Sequence, residues 1–513
     1  MLACVTSAAY TGVDGFLIEA ETDITAGLPC FSVVGLPGAA VRESRERVAA
    51  AIKNSGFDFP VRKITVNLAP AGVPKEGARY DLPIALGILL ASEQVQDAEI
   101  GGVVALGELS LDGALRPLVG VLAMARAARA AGSRMLIVPK VNALEAALVE
   151  GVTVWPAQTL REAVELLSPE SPGRARGIRG GIDVASTAPR AVPDFADVRG
   201  QQHAKRALQI AAAGDHNVLF IGPPGTGKTM LAQRLPGILP PLSRDEAIEV
   251  STIYSVAGLL PPEVPLVTAR PFRAPHHTIS CAGLVGGGGV PRPGEISLSH
   301  RGVLFLDELP EFSRSALEAL RQPLEEGRVT IARASRTVAF PARVTLAVAM
   351  NPCPCSFLGD PRHSCRCTQR EINAYRGRVS GPLLDRIDIH VEVPPLRFDE
   401  LNETNGNGSP SLDTETLRGG VLAARERQRV RNDEGRPNAR FTTREIHRHC
   451  VLSRRCSRLL REAHERLGLS ARGTHRVLRV ARTVADLDGR GDIDERHLAE
   501  AIQYRALDRE VAG

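Results

Sequence analysis

Three short apolar runs in the middle of the chain predict β-strands. They cover 217–221, 302–306 and 344–350, and each ends abruptly in glycine or polar residues. Apolar runs of this length with such boundaries are typical of strands buried in a sheet. After the first run, Met230 to Arg234 has a helix-like pattern, so the order strand, loop, helix is expected there.

Polar stretches divide the chain into parts. The helix-like Leu160 to Leu167 is followed by a segment rich in Pro, Gly and Ser with no apolar period, which predicts a linker. A second polar stretch at 402–411 predicts a disordered loop before a helix-patterned, arginine-rich C-terminus. The expected organisation is a first domain at 1–168, a linker at 169–189, a central domain at 190–395, a flexible loop at 396–414 and a C-terminal domain at 415–513.

The loop after the first predicted strand has the chemistry of a phosphate site. It reads GPPGTGKT, in which the glycines let backbone N–H groups surround phosphates and the lysine supplies a mobile charge. The threonine hydroxyl can hold Mg²⁺ at the start of the next helix. A glycine-rich turn is the alternative, but the flanking strand and helix favour nucleotide binding. The predicted nucleotide-binding residues are Gly222, Pro223, Pro224, Gly225, Thr226, Gly227, Lys228 and Thr229.

The other two predicted strands end in side chains suited to ATP hydrolysis. In a P-loop ATPase, Asp307 would ligate Mg²⁺ through water and Glu308 would polarise the attacking water. Asn351 could sense the γ-phosphate or orient that water. Each ending has a simpler interpretation by itself, because strands often end in acidic turns and an Asn before Pro352 favours a turn. The combination with Lys228 and the phosphate loop predicts an ATPase.

Longer segments carry a specific resemblance. They include LPCFSVVGLPGAAVRESRERV near the N-terminus, PDFADVRGQQHAKRALQIAAAGDHN before the phosphate loop, PRPGEISLSHRGVLFLDELPEF, SGPLLDRIDIHVEVP and HRVLRVARTVADLDG. Through them the chain resembles the ComM/YifB family of magnesium-chelatase-like AAA+ ATPases over nearly its whole length. The resemblance implies an α/β multidomain fold with an S5/Lon-like α/β domain, a P-loop AAA+ α/β/α core and a C-terminal helical lid. It also implies ATP and Mg²⁺ as ligands, an ATP-dependent homo-hexamer, and single-stranded or branched DNA as partner.

The resemblance also gives roles to arginines. Arg386 of LLDRID is similar to the arginine finger that reaches a neighbouring subunit's ATP. Arg472 is similar to the sensor-2 arginine, with Arg476 as the alternative. A planar cation can neutralise the charge that builds up on a transferred phosphoryl group, and a finger supplied by another subunit requires an oligomer. Without the resemblance, an ion pair to Asp385 or Asp388 would be the expected role of Arg386.

The first domain resembles the catalytic domain of Lon protease. The resemblance lies in GELSLDGALRPLVG, in the helical AMARAARAAG after it, and in the loop 74–81, which matches the Lon loop that carries the nucleophilic serine. Arg79 stands at the serine position and Leu122 at the lysine position. A Ser-Lys dyad needs a hydroxyl and an amine that accepts its proton, so proteolysis is not expected. Assembly or DNA contact is the expected role.

Four of the nine cysteines form two C-x-C pairs that bracket His363. Paired cysteines on two turns suit a tetrahedral zinc site. The alternative is four reduced thiols without metal, since C-x-C is less common in such sites than C-x2-C; a disulfide is disfavoured in a reducing compartment. The candidate zinc ligands are Cys353, Cys355, Cys365 and Cys367.

Two loops between the ATPase motifs lie where magnesium-chelatase-type AAA+ proteins insert segments that face the central pore. They are the stretch PFRAPHHT and the glycine run 286–289. We expect Phe272, Arg273 and the imidazoles of His276 and His277 to contact DNA by stacking and phosphate binding. Adjacent histidines on an extended segment point to opposite faces, so a shared metal ion is not expected.

Composition sets outer limits on class and location. The chain has 513 residues, of which 43% are hydrophobic and 24% charged, as in a globular protein of about three domains. The net charge of +5 permits nucleic-acid binding without requiring it. Apolar stretches such as 82–91 are too short to cross a membrane and the N-terminus lacks a signal-peptide pattern, so we expect a cytoplasmic protein without membrane contact.

Two functions remain open. The resemblance implies a ring-forming, ATP-dependent DNA motor, a helicase that promotes branch migration in homologous recombination during natural transformation. The alternative is a chelatase-like AAA+ remodeller that acts on a protein partner. The chelatase subunit normally lacks a Lon-like first domain, so the presence of such a domain favours the DNA motor.

Overall fold

The computed structural model describes residues 1–95, 98–181, 193–333, 336–396 and 412–505. The chain divides into two compact units. The first unit contains 1–188 and 244–267, and the second contains 189–243 and 268–513.

The strands of the described ranges, in chain order, are β1 (Leu2–Thr11), β2 (Asp14–Thr25), β3 (Cys30–Val34), β4 (Lys63–Ala69), β5 (Val103–Ala105), β6 (Glu108–Leu109), β7 (Leu115–Arg116), β8 (Met135–Pro139), β9 (Thr153–Ala157), β10 (Ile178–Arg179), β11 (Val218–Ile221), β12 (Phe272–Arg273), β13 (Gly286–Gly287), β14 (Arg292–Pro293), β15 (Val303–Leu306), β16 (Arg328–Arg333), β17 (Arg336–Pro341), β18 (Thr345–Met350) and β19 (Ile389–Glu392).

The α-helices of the same ranges are α1 (Ala39–Asn54), α2 (Asp81–Ala91), α3 (Val121–Ala130), α4 (Ala143–Ala146), α5 (Leu160–Glu165), α6 (Gln202–Gly214), α7 (Lys228–Ile238), α8 (Arg244–Ala257), α9 (Cys281–Val285), α10 (Glu295–Leu298), α11 (Arg314–Ala319), α12 (Arg321–Glu326), α13 (Gln369–Arg376), α14 (Gly381–Leu384), α15 (Thr414–Arg431), α16 (Thr443–His449), α17 (Arg454–Leu467), α18 (Ala471–Leu487) and α19 (Glu495–Gln503).

The first unit is built on an eight-stranded mixed sheet with the order β10-β9-β8-β5-β1-β2-β4-β3. Strand β4 shows why these residues form a sheet, since Ile64, Val66 and Leu68 are buried and alternate with half-buried polar residues. Helix α2 packs on one face, where Gly87 leaves room for the hydroxyl of Thr22. Helix α3 packs on the other face, where Gly15 of β2 approaches the backbone of α3. Both faces are therefore covered.

Helix α8 differs from the expected division, which put it in the central domain. It packs on α3 within the first unit. The backbone N–H of Gly120 donates to the carbonyl oxygen of Ser255 at 3.2 Å, and Arg126 donates to the hydroxyl of Thr252 at 3.4 Å. Both hydroxyl residues of α8 are almost fully buried in this contact.

The expected linker at 169–189 is ordered in its first part. Residues 172–176 form a 3₁₀ turn, and β10 pairs antiparallel with β9. Arg174 holds the segment down, because its guanidinium lies 4.6 Å from the ring centre of Trp155 and forms an ion pair with Glu99 at 2.7 Å. Residues 182–192 and most of the expected loop at 396–414 lie outside the described ranges.

The second unit contains a five-stranded, all-parallel sheet with the order β12-β15-β18-β11-β19. The predicted strands are its three central members, β15, β18 and β11, and their residues are buried as continuous apolar runs. Helices α6 and α7 follow the connections expected of a P-loop α/β/α core.

The C-terminal helices share one core with this sheet rather than forming a separate body. Leu417, Val421 and Ala424 of α15 are fully buried against α6, and α18 packs on α6 as well. Among the helices of the described ranges, none has both the length and the apolar character needed to cross a membrane.

Candidate nucleotide site and cysteine cluster

Parallel pairing brings the ends of three strands to one edge of the second unit's sheet. Phe220 pairs with Ala349, and Leu306 pairs with Val348. The segments that follow β11, β15 and β18 therefore leave from the same edge, as the carboxyl ends of parallel strands do in nucleotide-binding α/β proteins. The N–H of Gly222 donates to the carbonyl oxygen of Met350 at 3.3 Å, which ties the phosphate loop to the end of β18.

The phosphate loop is shaped as an open cradle. Gly225 and Gly227 have φ values of 76° and 90°, in the left-handed region that favours glycine. A Cβ added to either glycine would have no atom within 4 Å, so the concave side of the loop has room for a ligand. Helix α7 begins directly after Gly227, and its amino end favours a bound anion. The loop therefore fits a nucleotide phosphate.

Lys228 is held inside this cradle. Its Nζ donates to the carbonyl oxygens of Gly222 and Pro223 at 2.6 and 2.8 Å and to Oδ1 of Asn351 at 3.3 Å. Burial lowers the pKa of the Lys228 ammonium, while Asp307 and Glu308 favour its charged form. The lysine charge is thus next to the three strand ends at which the sequence placed the ATPase chemistry.

Thr229 and Asp307 meet as the sequence suggested. The hydroxyl of Thr229 donates to Oδ2 of Asp307 at 2.8 Å, and Oδ1 of Asp307 accepts the N–H of Glu308 at 2.9 Å. A hydroxyl and a carboxylate side by side are the hard oxygen donors that Mg²⁺ prefers. The donor set therefore fits Mg²⁺ bound together with nucleotide phosphates.

Glu308 occupies an unusual backbone position. Its φ is 52°, a left-handed conformation that costs free energy in a non-glycine residue and is found most often at functional sites. Its side chain is 53% exposed, and its carboxylate lies 3.4 Å from Nδ1 of His277. The carboxylate is therefore accessible to solvent and has one histidine neighbour.

Asn351 has a partner that the sequence did not indicate. Tyr375 of α13 lines the same cleft as Asn351, whose backbone N–H lies near the Tyr375 hydroxyl, and burial raises the pKa of Tyr375 to about 12. Arg376, the next residue of α13, donates from Nε to the carbonyl oxygen of Pro352 at 3.2 Å. Helix α13 therefore closes back on the end of β18. In the sequence, Tyr375 is only an aromatic residue of a short helix, and that feature is too general to predict a place in this site.

A cleft of about 770 Å³ joins these groups to the cysteine segment. Its lining includes Glu308, Glu311, Asn351, Tyr375, Cys355 and Cys367. Glu311 is paired with Arg378 at 3.0 Å across the cleft. The candidate base, the candidate phosphate sensor and two of the cysteines therefore border one space.

The four cysteines of the two C-x-C pairs are gathered within 4.8 Å of one another. The Sγ of Cys353 lies 3.4 Å from that of Cys355 and 3.7 Å from that of Cys365, and the last two are 3.6 Å apart. A tetrahedral zinc ion with bonds of about 2.3 Å separates its sulfurs by about 3.8 Å. The sulfur positions therefore fit zinc.

Backbone donors favour a thiolate at Cys355, whereas desolvation and the neighbouring thiols raise the pKa of Cys365 and of Cys367. The N–H groups of Phe357 and Arg366 lower the pKa of Cys355 to about 6, and Cys367 accepts the N–H of Cys355 at 3.4 Å. His363 lies outside the cluster, since its ring stacks on Phe357 and its Nδ1 contacts Asp360. The donor set is four sulfurs.

Arg386 lies at the amino ends of the parallel strands, whereas the phosphate loop lies at their carboxyl ends. The side chain of Asn217, at the start of β11, donates to its carbonyl oxygen. From there to Gly222 is about 16 Å along the strand. The Arg386 side chain is buried and pairs with Glu325, so neither Asp385 nor Asp388 is its partner.

Asp388 forms an ion pair with Arg476 instead, at 2.6 Å. The pKa of Asp388 stays below its usual range, because Arg476 and His216 outweigh the desolvation caused by burial. Arg476 is therefore held near the amino ends of the strands, away from its own chain's phosphate loop. This position makes it less suitable than Arg472 as the sensor-2 residue. Arg472, one turn earlier on α18, is exposed to solvent.

Comparison with known proteins agrees with this architecture. Family models described as "Magnesium chelatase, subunit ChlI", "Subunit ChlI of Mg-chelatase" and "Magnesium chelatase, subunit ChlI C-terminal" match residues 194–401, 20–142 and 411–505. Competence protein ComM of Haemophilus influenzae is 46% identical over 99% of this chain and 98% of its own length. The chain belongs to the ComM/YifB magnesium-chelatase-like family. YifB of Salmonella typhimurium is 44% identical over the same shares of the two chains.

The family and the fold class expected from the sequence are confirmed. A shorter match, 46% identity over 67 residues, joins this ComM/YifB-family chain to an archaeal Lon protease of Archaeoglobus fulgidus. It covers 13% of this chain and 11% of the protease. A local likeness of this kind does not by itself establish a shared activity.

The positions of the absent Ser-Lys dyad are filled and closed in this family member. The Arg79 guanidinium lies 4.4 Å from the ring centre of Tyr10, and its NH1 is 3.7 Å from the sulfur of Met124. Leu122 is fully buried, and its N–H donates to Glu145 at 2.9 Å. Ser255 of α8 donates to the same carboxylate, whose pKa burial raises. Apolar packing and hydrogen bonds to Glu145 fill the place where a protease would need an open cleft.

The DNA contact expected of this segment stays a prediction, but the expected geometry of its two histidines is wrong. Phe272 and Arg273 form the edge strand β12, where Phe272 stacks on Phe305 and Arg273 pairs with Glu295 at 2.6 Å. The rings of His276 and His277 lie 4.1 Å apart, so they do not point to opposite faces. The chain turns at His277, and the alternation of an extended strand does not apply there. In the glycine run 286–289, the first two residues form strand β13 of a small hairpin with β14.

Proposed function

We propose that this chain is an ATP-driven, ring-forming DNA motor, a cytoplasmic helicase that promotes branch migration in homologous recombination during natural transformation. The observation that carries the proposal is the meeting of Lys228, Thr229, Asp307 and Asn351 at one sheet edge. The near full-length likeness to a competence protein supports the DNA substrate and the process.

In this proposal the residues divide the work of hydrolysis. The loop Gly222–Thr229 and Lys228 bind the β- and γ-phosphates. Mg²⁺, held by Thr229 and Asp307, neutralises phosphate charge when bound. Glu308 takes a proton from a water whose oxygen bonds to the γ-phosphorus as the bond to ADP breaks. Asn351 orients that water and senses the γ-phosphate.

The arginine roles require a second subunit. The backbone of Arg386 is bonded to Asn217, which is about 16 Å along β11 from Gly222, so we propose that Arg386 acts on the ATP of a neighbour in a homo-hexamer. It must leave Glu325 to do so. Arg472 is the proposed sensor-2 residue because it is exposed and has no ion pair among the described residues. Arg386→Ala should stop turnover while ATP still binds; full turnover would remove the finger from the proposal.

We also propose that Cys353, Cys355, Cys365 and Cys367 hold one structural zinc ion. The sulfurs of Cys353, Cys355 and Cys365 lie 3.4 to 3.7 Å apart, and all four lie within 4.8 Å of one another, close to the edge lengths of a zinc tetrahedron. The zinc would hold a loop that starts two residues after Asn351. Metal and ATPase site would then share one cleft.

The proposed function is tested by ATP turnover of the purified protein with and without single-stranded, duplex and four-way-junction DNA. Salt is kept fixed and moderate, since phosphate contacts make affinity salt-dependent. Stimulation by DNA that is lost in Glu308→Gln is expected. Junction migration by the wild type and not by Glu308→Gln then tests the helicase step. Turnover that no DNA changes would reject the DNA motor.

A chelatase-like remodeller of a protein partner remains the second candidate. The three family models that cover most of the chain are all named for magnesium chelatase. In that case a protein, and not DNA, would stimulate turnover in the same assay. The Lon-like match supports the DNA motor over this candidate, since the chelatase subunit normally lacks such a domain.

A further inference from the structure

The C-terminal helices carry an arginine-rich surface that the proposed ATPase chemistry does not use. Helix α17 contains five arginines and two glutamates, and residues 412–505 contain no lysine. The helix begins after Ser453, whose hydroxyl accepts the N–H of Cys456. It buries Cys456 and Ala463, so the opposite side of the helix faces solvent.

Three arginines lie along that solvent side. Arg454, Arg458 and Arg461 are spaced i, i+4 and i+7, which puts them on one stripe about 10 Å long. All three are exposed, and none forms an ion pair with any described residue. We call these three arginines the basic face.

The surface next to the basic face indicates which kind of partner can bind there. A shallow groove of about 430 Å³ runs between α17 and the start of α18, lined by Leu452, Leu460, Arg461, His464, Ala471 and His475. Residues 451–476 contain no Phe, Tyr or Trp. The surface therefore lacks the rings on which unpaired bases stack and the aromatic anchors that dominate protein interfaces. Cationic groups are its main feature.

We propose that the basic face binds the phosphate backbone of duplex nucleic acid without reading its sequence. A guanidinium can bond a phosphate through two N–H groups, and about 10 Å of duplex presents about six phosphates. Glu462 and Glu465 on the same helix leave it with an excess of positive charge. The inference rests on the proposed function, and it adds a duplex contact outside the ATPase edge.

The test compares two triple variants of the full chain. Arg454→Gln, Arg458→Gln and Arg461→Gln remove the stripe, while Arg418→Gln, Arg429→Gln and Arg496→Gln remove equal charge from exposed positions elsewhere on the C-terminal helices. Glutamine keeps helix propensity, so both should fold, and a thermal melt checks this. Binding of a fluorescent 40-base-pair duplex is measured by anisotropy at several salt concentrations, together with DNA-free ATP turnover.

The stripe variant should reduce the slope of log affinity against log salt by about 2 to 3, since each phosphate contact contributes about 0.9. The control variant should change that slope by less than about 1, and DNA-free turnover should stay the same in both. Equal slopes in the two variants would overturn the inference, leave the proposed function intact and assign the face to an acidic protein surface. Absence of duplex binding by the wild type would overturn the inference even if single strands stimulate turnover.

Discussion

The ATPase edge and the Lon-like position of the first unit were both recognised by likeness to enzymes, yet they are built in opposite ways. At the ATPase edge, Lys228 bonds to the phosphate loop and to Asn351, and Thr229 bonds to Asp307, around an open loop. In the first unit, Leu122 is fully buried and Arg79 is stacked on an aromatic ring. One region keeps polar groups beside space for a ligand, and the other has replaced them with packing.

The difference teaches that a fold keeps its shape after its chemistry is gone. The mixed sheet of the first unit needs only apolar residues on its faces, and Leu122 is fully buried on helix α3, which packs on that sheet. A polar site has a different requirement, because each buried charged group must keep a partner or a ligand. Bonded polar clusters at strand ends are therefore better indicators of activity than the fold around them.

The largest effect is expected from removing the proposed phosphate charge or the proposed base. Lys228→Ala should abolish ATP binding, whereas Glu308→Gln should leave binding intact and reduce turnover by about 100-fold or more, since general-base catalysis contributes at least that much. Isothermal titration with a non-hydrolysable ATP analogue and a phosphate-release assay measure the two quantities. Lys140→Ala, an exposed lysine of the first unit, is the control. Turnover of Glu308→Gln near wild type would remove Glu308 as the base.

The next effect concerns the cysteine cluster. Cys353→Ser with Cys365→Ser should lower bound zinc from about one ion per chain to none and reduce ATP turnover by about tenfold or more, because the loop next to Asn351 loses its metal. Emission spectrometry of the purified protein measures the zinc. Cys4→Ser with Cys30→Ser, two exposed cysteines of the first unit, should change neither value. A wild type without zinc would reject the metal site outright.

The motifs of the ATPase edge could be predicted from the sequence, because each lies within one short segment of the chain. The loop pattern ending in Lys228 and Thr229 and the acids after β15 are fixed by short spacing within single segments. The partners of Asn351 and Arg386 could not be found in this way. Tyr375 is 24 residues from Asn351, and Glu325 is 61 residues from Arg386. Such pairs depend on how distant helices pack, which no local pattern encodes.

Packing also decided the boundaries that the sequence placed differently. The segment 169–189 was expected to be a linker from its glycines and prolines, but Arg174 anchors its start on Trp155. Helix α8 has an ordinary helical pattern, and nothing in that pattern says that its buried hydroxyls face α3. Both differences arise from contacts between segments distant in sequence.

A smaller effect is expected from Tyr375→Phe, which removes the hydroxyl that lies near the backbone N–H of Asn351. One hydrogen bond contributes about 1 kcal/mol, so kcat should fall about fivefold. KM for ATP should change by less than about twofold and zinc content should stay constant, since the ring still packs. Tyr10→Phe, which keeps its ring against Arg79, is the matched control. Unchanged kcat in Tyr375→Phe would show that the hydroxyl does not position Asn351.

The smallest effect is expected in the first unit. Arg79→Ser should reduce the free energy of unfolding by about 1 kcal/mol through loss of the contact with Tyr10, and ATP turnover should stay within about twofold. Combined with Leu122→Lys it should still cleave no fluorescent casein, because α8 and Glu145 close the position. Cleavage by the double variant would mean that the Lon-like position lacks only the catalytic side chains and is still accessible to a substrate.

Helix α8 has a consequence for how this protein can be divided by evolution or by engineering. The chain leaves the second unit after Ser243 and returns at Thr268, and the helix between them completes the first unit. A truncated chain that begins at residue 189 would keep α8 and expose Thr252 and Ser255 together with the apolar residues beside them. The first unit is thus built from two separate segments of the chain, and the chain passes between the units at three points. Exchange of the first unit for another domain requires two simultaneous changes to the gene, so it must be inherited with the ATPase rather than shuffled as a module.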